Sequence, residues 1–168
     1  TNGVQGDALA FEKDKEDVLS KKVKKQKIFD KLMINEILVS AITMSVIEFI
    51  FYFYLYKIKN LDIVLVRTYL LTLMVIIENI QIFNCRSERL SIFKITGSNN
   101  RFLMISIIIT LCLQVIIVRS QEMANVFNLT TISIENIGAL FLLAIPVLVV
   151  MEIFKKVNKM WTFCEILN

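Results

Sequence analysis

The sequence predicts an all-α membrane protein with four spanning helices arranged as two antiparallel hairpins, preceded by a charged, partly helical cytoplasmic segment. Three observations carry that prediction. The chain of 168 residues is 56% hydrophobic and holds only four Gly and one Pro. Its mean hydropathy is +0.65. Four segments approach or reach the length of about 20 apolar residues that a helix needs to cross about 30 Å of hydrocarbon. They are 37–56, 63–83, 102–118 and 132–153. A soluble domain of this size carries more turn residues and shorter apolar runs.

The first 31 residues are polar, with the run "EKDKEDVLSKKVKKQK" at their centre. It reads as a solvated, partly helical loop. The short apolar patch Ala8-Leu9-Ala10-Phe11 before it has the character of a helix end. Residues 1–31 thus form the end of a truncated helix and a basic loop, and residues 32–168 a four-helix membrane domain with a short tail. The chain begins Thr1-Asn2-Gly3, without Met and without a signal-peptide pattern. It reads as a fragment of something longer or as a split-gene product.

The first span closes on "FIFYFYLY", Phe49 to Tyr56. Alternating aromatics also suit a strand, but a lipid-facing strand needs a closed barrel, so the unbroken apolar lead-in favours helix. Tyr52, Tyr54 and Tyr56 fit an interfacial aromatic belt. Asn60-Leu61-Asp62 reads as a tight turn that folds the first two spans into a hairpin. Pro146 predicts a kink in the fourth span, and Trp161 an anchor at the cytoplasmic interface.

Basic residues orient the chain. Fifteen of the 19 Lys and Arg lie before the first span, between the second and third, or after the fourth. The excess of positive charge on the cytoplasmic side places both termini and the 86–101 loop there. The net charge of +4 therefore needs no nucleic acid. The absence of histidine excludes histidine catalysis and most transition-metal sites. Cys85, Cys112 and Cys164 form no C-x-x-C pair and suggest neither a disulfide framework nor a zinc site.

Polar residues inside the apolar runs are the functional candidates. Glu48 lies 11 residues past Ile37, about 17 Å along a helix and near the bilayer centre. Glu78 sits five residues before Phe83. A charge at a helix centre costs about 2.5–3.5 kcal/mol on insertion scales, so such residues face the protein interior and mark an ion path or a buried partner. A protonated, hydrogen-bonded Glu is the simpler alternative at either position. Asn79 adjoins Glu78, and Gln81 falls at i+3 on its face. Thr68, Thr72 and Asn79 form a second polar strip. Ser106, Thr110 and Gln114 share one face of the third span and read as interhelical hydrogen-bonding glue. Carboxylate, amide and hydroxyl oxygens are the ligands that hard cations prefer. Glu78 with Asn79 can supply part of a cation site, and partner helices must supply the rest.

These residues also carry a resemblance. "ENIQIFNCRSERLSIF", Glu78 to Phe93, resembles the eighth transmembrane helix and following loop of P-type cation-transporting ATPases of the calcium-pump-like and sodium-pump-like branch. "TNGVQGDALAFE", Thr1 to Glu12, resembles the sixth-helix motif T-D-G-x-P-A-x-A-L. "EDVLSKK" resembles the family's next loop, and "TTISIENIGALFLLAIPVLVVMEIFKKV", from Thr130, its tenth helix. The resemblance covers nearly the whole chain in order and implies spans seven to ten of a bacterial pump. It implies that Thr1, Asn2 and Glu78 occupy cation-ligand positions. Asn2 stands where the motif has Asp, which keeps an oxygen but loses a charge. Gln5 replaces the motif's Pro, and the loop's proline pair is absent. Glu48 matches no family ligand.

The sequence carries no D-K-T-G-T phosphorylation motif and no D-G-x-N-D motif. Phosphoryl transfer needs an aspartyl nucleophile, Mg²⁺ and a nucleotide site. The expectation is a non-catalytic segment with no cofactor of its own. ATP and Mg²⁺ belong to absent domains, the partners are the first six helices with the cytoplasmic domains, and the location is the bacterial inner membrane. Two other readings stand beside it: a non-transporting remnant or accessory membrane subunit, and a small oligomeric four-helix transporter using Glu48 or Glu78.

Overall fold

The structure, a computed structural model, describes residues 31–85 and 101–167, with side chains described for 33–82, 84, 102–158. Thr1, Asn2, the basic loop and the 86–100 loop lie outside the described residues, and so does the side chain of Trp161. Among the described residues there are helices and turns and no strand. Helix α1 spans Lys31–Phe53 and continues as a π-helical turn over Tyr54–Ile58. Helix α2 spans Ile63–Cys85, α3 Arg101–Arg119, α4 the short Gln121–Val126, and α5 Ile134–Leu167. Four of these helices are long and apolar enough to cross a membrane, over Met33–Ile58, Ile63–Ile82, Phe102–Arg119 and Ile134–Asn158.

Helix is the form that lets an apolar run satisfy its own backbone without water. The hydroxyls inside the spans do the same. Thr43 donates to the Val39 carbonyl at 2.7 Å, Thr68 to Val64 at 2.9 Å and Thr110 to Ser106 at 2.8 Å. Each returns its hydrogen bond to the preceding turn, so a polar side chain costs little in hydrocarbon.

Two asparagines end helices. Asn60 adopts φ 50° and Asn128 φ 52°, the left-handed region that a short polar side chain tolerates best after Gly. After Asn128, Leu129 N donates to Ala124 O at 2.8 Å and Asn128 N to Asn125 O at 3.1 Å. That is the paired closure of a Schellman turn. After Asn60, Leu61 N reaches Leu55 O at 3.2 Å, one residue further back, because the last turn is wound as π. Asp62 then opens α2, its Oδ2 accepting from Val64 N at 3.1 Å. The aromatic run is thus helical, with Tyr52 and Tyr56 stacked at 5.5 Å. Lys57 lies over the Tyr56 ring at 5.2 Å, so the cationic tips sit beside amphipathic rings at the hairpin end.

Helix α2 is the hub: α1, α3 and α5 all pack on it, and α5 also packs on α1. The core joins Leu73, Ile76 and Ile77 of α2 to Ile137, Leu140, Ala144, Val147 and Met151 of α5. The α5 positions recur at intervals of three and four, which draws a narrow seam down one side of the helix. Ala144, fully buried on that seam, keeps the two backbones close, as small residues do at membrane helix contacts. Helix α5 runs through Pro146 as one element.

A second contact ties α3 to α2. Gln114 Nε2 donates to Thr72 Oγ1 at 3.1 Å, and Thr72 Oγ1 donates to Thr68 O at 2.8 Å. Thr68 Oγ1 in turn accepts from Thr130 N at 2.9 Å. Of the third-span polar stripe, Gln114 thus joins two helices, while Ser106 and Thr110 donate to carbonyls of their own helix. Gln114→Leu should destabilise the bundle by only about 0.6 kcal/mol, the typical worth of such a bond in a membrane. Equilibrium unfolding in detergent measures it, and a loss several times larger would mean that Gln114 does more than join two helices.

Candidate cation site and its polar surroundings

Glu48 and Glu78 come from adjacent antiparallel helices, α1 and α2. Both side chains are half-buried. Glu48 also lines a cavity of about 300 Å³ with Tyr52, Arg67, Leu71 and Met74. Leu71, Met74 and Glu78 follow one another at intervals of three and four on α2, so this groove runs from the hairpin end down the face that carries Glu78. Arg67 stands exposed toward the hairpin end of the groove.

Asn79 takes another direction. Consecutive helical residues point about 100° apart, and Asn79 is buried with its Nδ2 donating to Val75 O at 2.7 Å. Gln81 returns to the Glu78 face and accepts from Asn84 Nδ2 at 3.1 Å. Gln114 is engaged with Thr72, toward the hairpin end of α2. Thr1 and Asn2 lie outside the described residues. The structure thus joins Gln81 to Asn84 and Gln114 to Thr72, and leaves Glu48 and Glu78 half-buried on adjacent helices. Among the described residues no three His, Cys, Asp or Glu side chains gather as a metal site. Glu78 can therefore offer a cation one carboxylate, with a second on α1, and needs further oxygen ligands from elsewhere.

At the opposite end of the bundle from the Asn60 turn, the structure shows a polar cluster that sequence reasoning missed. Lys155 is only 3% exposed and Asn84 not exposed at all. Lys155 Nζ donates to Asn84 O at 2.8 Å. Glu36, near the start of α1, is buried as well. In the sequence Lys155 reads as one of three tail charges. The signal that marks it is its place four residues past Met151 on the α5 seam, visible only once the inward face of α5 is known.

The family model described as cation transporting ATPase, C-terminus, matches residues 1–157. Calcium-transporting ATPase 1 of Bacillus cereus (strain ATCC 10987 / NRS 248) is 38% identical over 77 residues, 46% of this chain and 9% of that protein. Calcium-transporting ATPase 3, endoplasmic reticulum-type, of Arabidopsis thaliana is 32% identical over 92 residues, 55% of this chain and 9% of that protein. The matched part of the chain spans less than a tenth of either relative's length.

Proposed function

We propose that this chain, which belongs to the family of cation-transporting ATPase C-termini, braces the transport helices of a P-type pump and lends Glu78 to its cation site. The observation that carries the reading is the family match over residues 1–157. It includes an α2 whose Glu78 is left half-buried at the edge of the bundle.

Physical cost supports the second half of the proposal. Two carboxylates facing lipid would each cost about 2.5–3.5 kcal/mol. The face that holds Glu48 and Glu78 is instead suited to cover by upstream helices, whose own oxygens complete the cation's shell. Thr1 and Asn2 are the nearest candidates in sequence, with Asn79 a minor one. Both matched relatives are named as calcium-transporting, so calcium is the first cation to test. The positive-inside bias favours both termini on the cytoplasmic side of a bacterial inner membrane. ATP and Mg²⁺ act in domains carrying the D-K-T-G-T aspartate, which this sequence lacks.

Reconstitution into liposomes tests the reading. The complete pump should hydrolyse ATP in response to a cation, surveyed across calcium, manganese, sodium and potassium, and the isolated chain should not. Proton or cation movement by the isolated chain alone would overturn it in favour of a small oligomeric transporter. No cation response from any longer product would favour a remnant or accessory subunit.

A further inference from the structure

We infer that Lys155 is a positioning residue for Glu78, acting through the last turns of α2; the inference rests on Glu78 serving as a cation ligand. Four facts lead to it. Lys155 is almost wholly buried, which is unusual for a lysine at the end of an apolar span. Its ammonium donates to a main-chain atom, the carbonyl of Asn84, at 2.8 Å. That carbonyl belongs to the final turn of α2 (Ile63–Cys85), where carbonyls have no acceptor role left inside their own helix. A cation is also favoured there by the negative end of the helix dipole. Lys155 thus closes another helix's C-terminus from outside.

The clamp connects to the carboxylate by short steps. Asn84, held through its carbonyl by Lys155, donates through Nδ2 to Gln81 Oε1 at 3.1 Å. Gln81 is one turn from Glu78 on the same face, and Asn84 is about 9 Å along the axis from it. The α5 seam from Ile137 to Met151 meanwhile packs on the body of α2. Helix α2 is therefore gripped along its length by apolar contact and at its end by a charge-assisted hydrogen bond. Such a bond is directional, so it fixes the rotation and axial height of the last turns in a way that the seam does not. Without it the last turns of α2 keep apolar contact alone, including Ile82 against Leu103 and Ile107 of α3, which fixes their rotation and height, and those of Glu78, less tightly.

The test uses the complete pump, with calcium as the probe cation. Lys155→Met should raise the half-saturating calcium concentration three- to tenfold, leave the KM for ATP unchanged, and be rescued by Lys155→Arg, which keeps charge and donors. In a Glu78→Gln background, itself shifted to higher calcium, Lys155→Met should add no further shift. If Lys155→Met fails to accumulate, Lys155→Gln makes the same comparison with a donor retained and the charge removed. The inference is overturned if these variants lower only the yield of folded pump at unchanged calcium dependence, or if their shift is the same with Glu78 and with Gln at position 78. A Glu78→Gln pump with unaltered calcium dependence would instead overturn the cation-ligand reading itself, whatever Lys155 does.

Discussion

Glu78→Ala in the complete pump is expected to raise the half-saturating cation concentration about 10- to 100-fold. Glu78 is half-buried at the edge of the four-helix bundle, where water competes little for a bound ion. Interactions with a charged group contribute about 1.5–3 kcal/mol, and 1.4 kcal/mol is a factor of ten in affinity. Glu78→Gln keeps one oxygen donor and loses the charge, so its shift should be the smaller of the two. Cation-dependent phosphoenzyme formation reads both. Wild-type cation dependence in Glu78→Ala would remove Glu78 from the site and leave it as a buried structural carboxylate.

Leu73→Ala should destabilise the membrane bundle by about 2–4 kcal/mol, the range for emptying a well-packed buried leucine position. Leu73 is fully buried in the core that α2 shares with α5, and a truncated side chain leaves a cavity that neighbouring helices cannot fully close. Leu142→Ala is the matched control. Leu142 is 69% exposed on α5, toward lipid or another helix, and its truncation should stay within about 0.5 kcal/mol. Equilibrium unfolding in mixed micelles distinguishes them. Equal losses at the two positions would mean that α5 packs on α2 through a different face.

That pair of leucines shows where sequence reasoning stops. Both leucines lie in long apolar runs; α2 interrupts its run with the buried strip Thr68, Thr72 and Asn79, whereas the run around Leu142 is apolar on every side. A helix that is hydrophobic all round has no polar face to mark its outward surface. Length and composition therefore reveal that the helix exists and not which side is buried. The polar residues were partly legible for the opposite reason. Ser106, Thr110 and Gln114 stand out from an apolar background, and the interhelical role expected of them appears at Gln114, which bonds Thr72, while Ser106 and Thr110 donate within α3. The Asn60 turn was legible because few residues accept a left-handed backbone. Glu48 and Glu78 were each conspicuous alone, but that both lie half-buried on adjacent helices depends on how α1 and α2 pack.

Lys155 marks the boundary most clearly. Counted as a charge, it supports the orientation of the chain; placed in the bundle, it is buried and binds the end of another helix. By itself the sequence determined the number of spanning helices and the Asn60 turn, because hydrocarbon imposes a length, an apolar composition and internal backbone hydrogen bonds on any span, and its motifs determined the family. Only the tertiary structure decided which faces meet, that Glu48 lines a groove against α2, and that the last helix holds the end of the helix carrying Glu78. Those outcomes depend on side-chain shape and hydrogen-bond geometry between distant residues, which a uniformly apolar pattern does not encode.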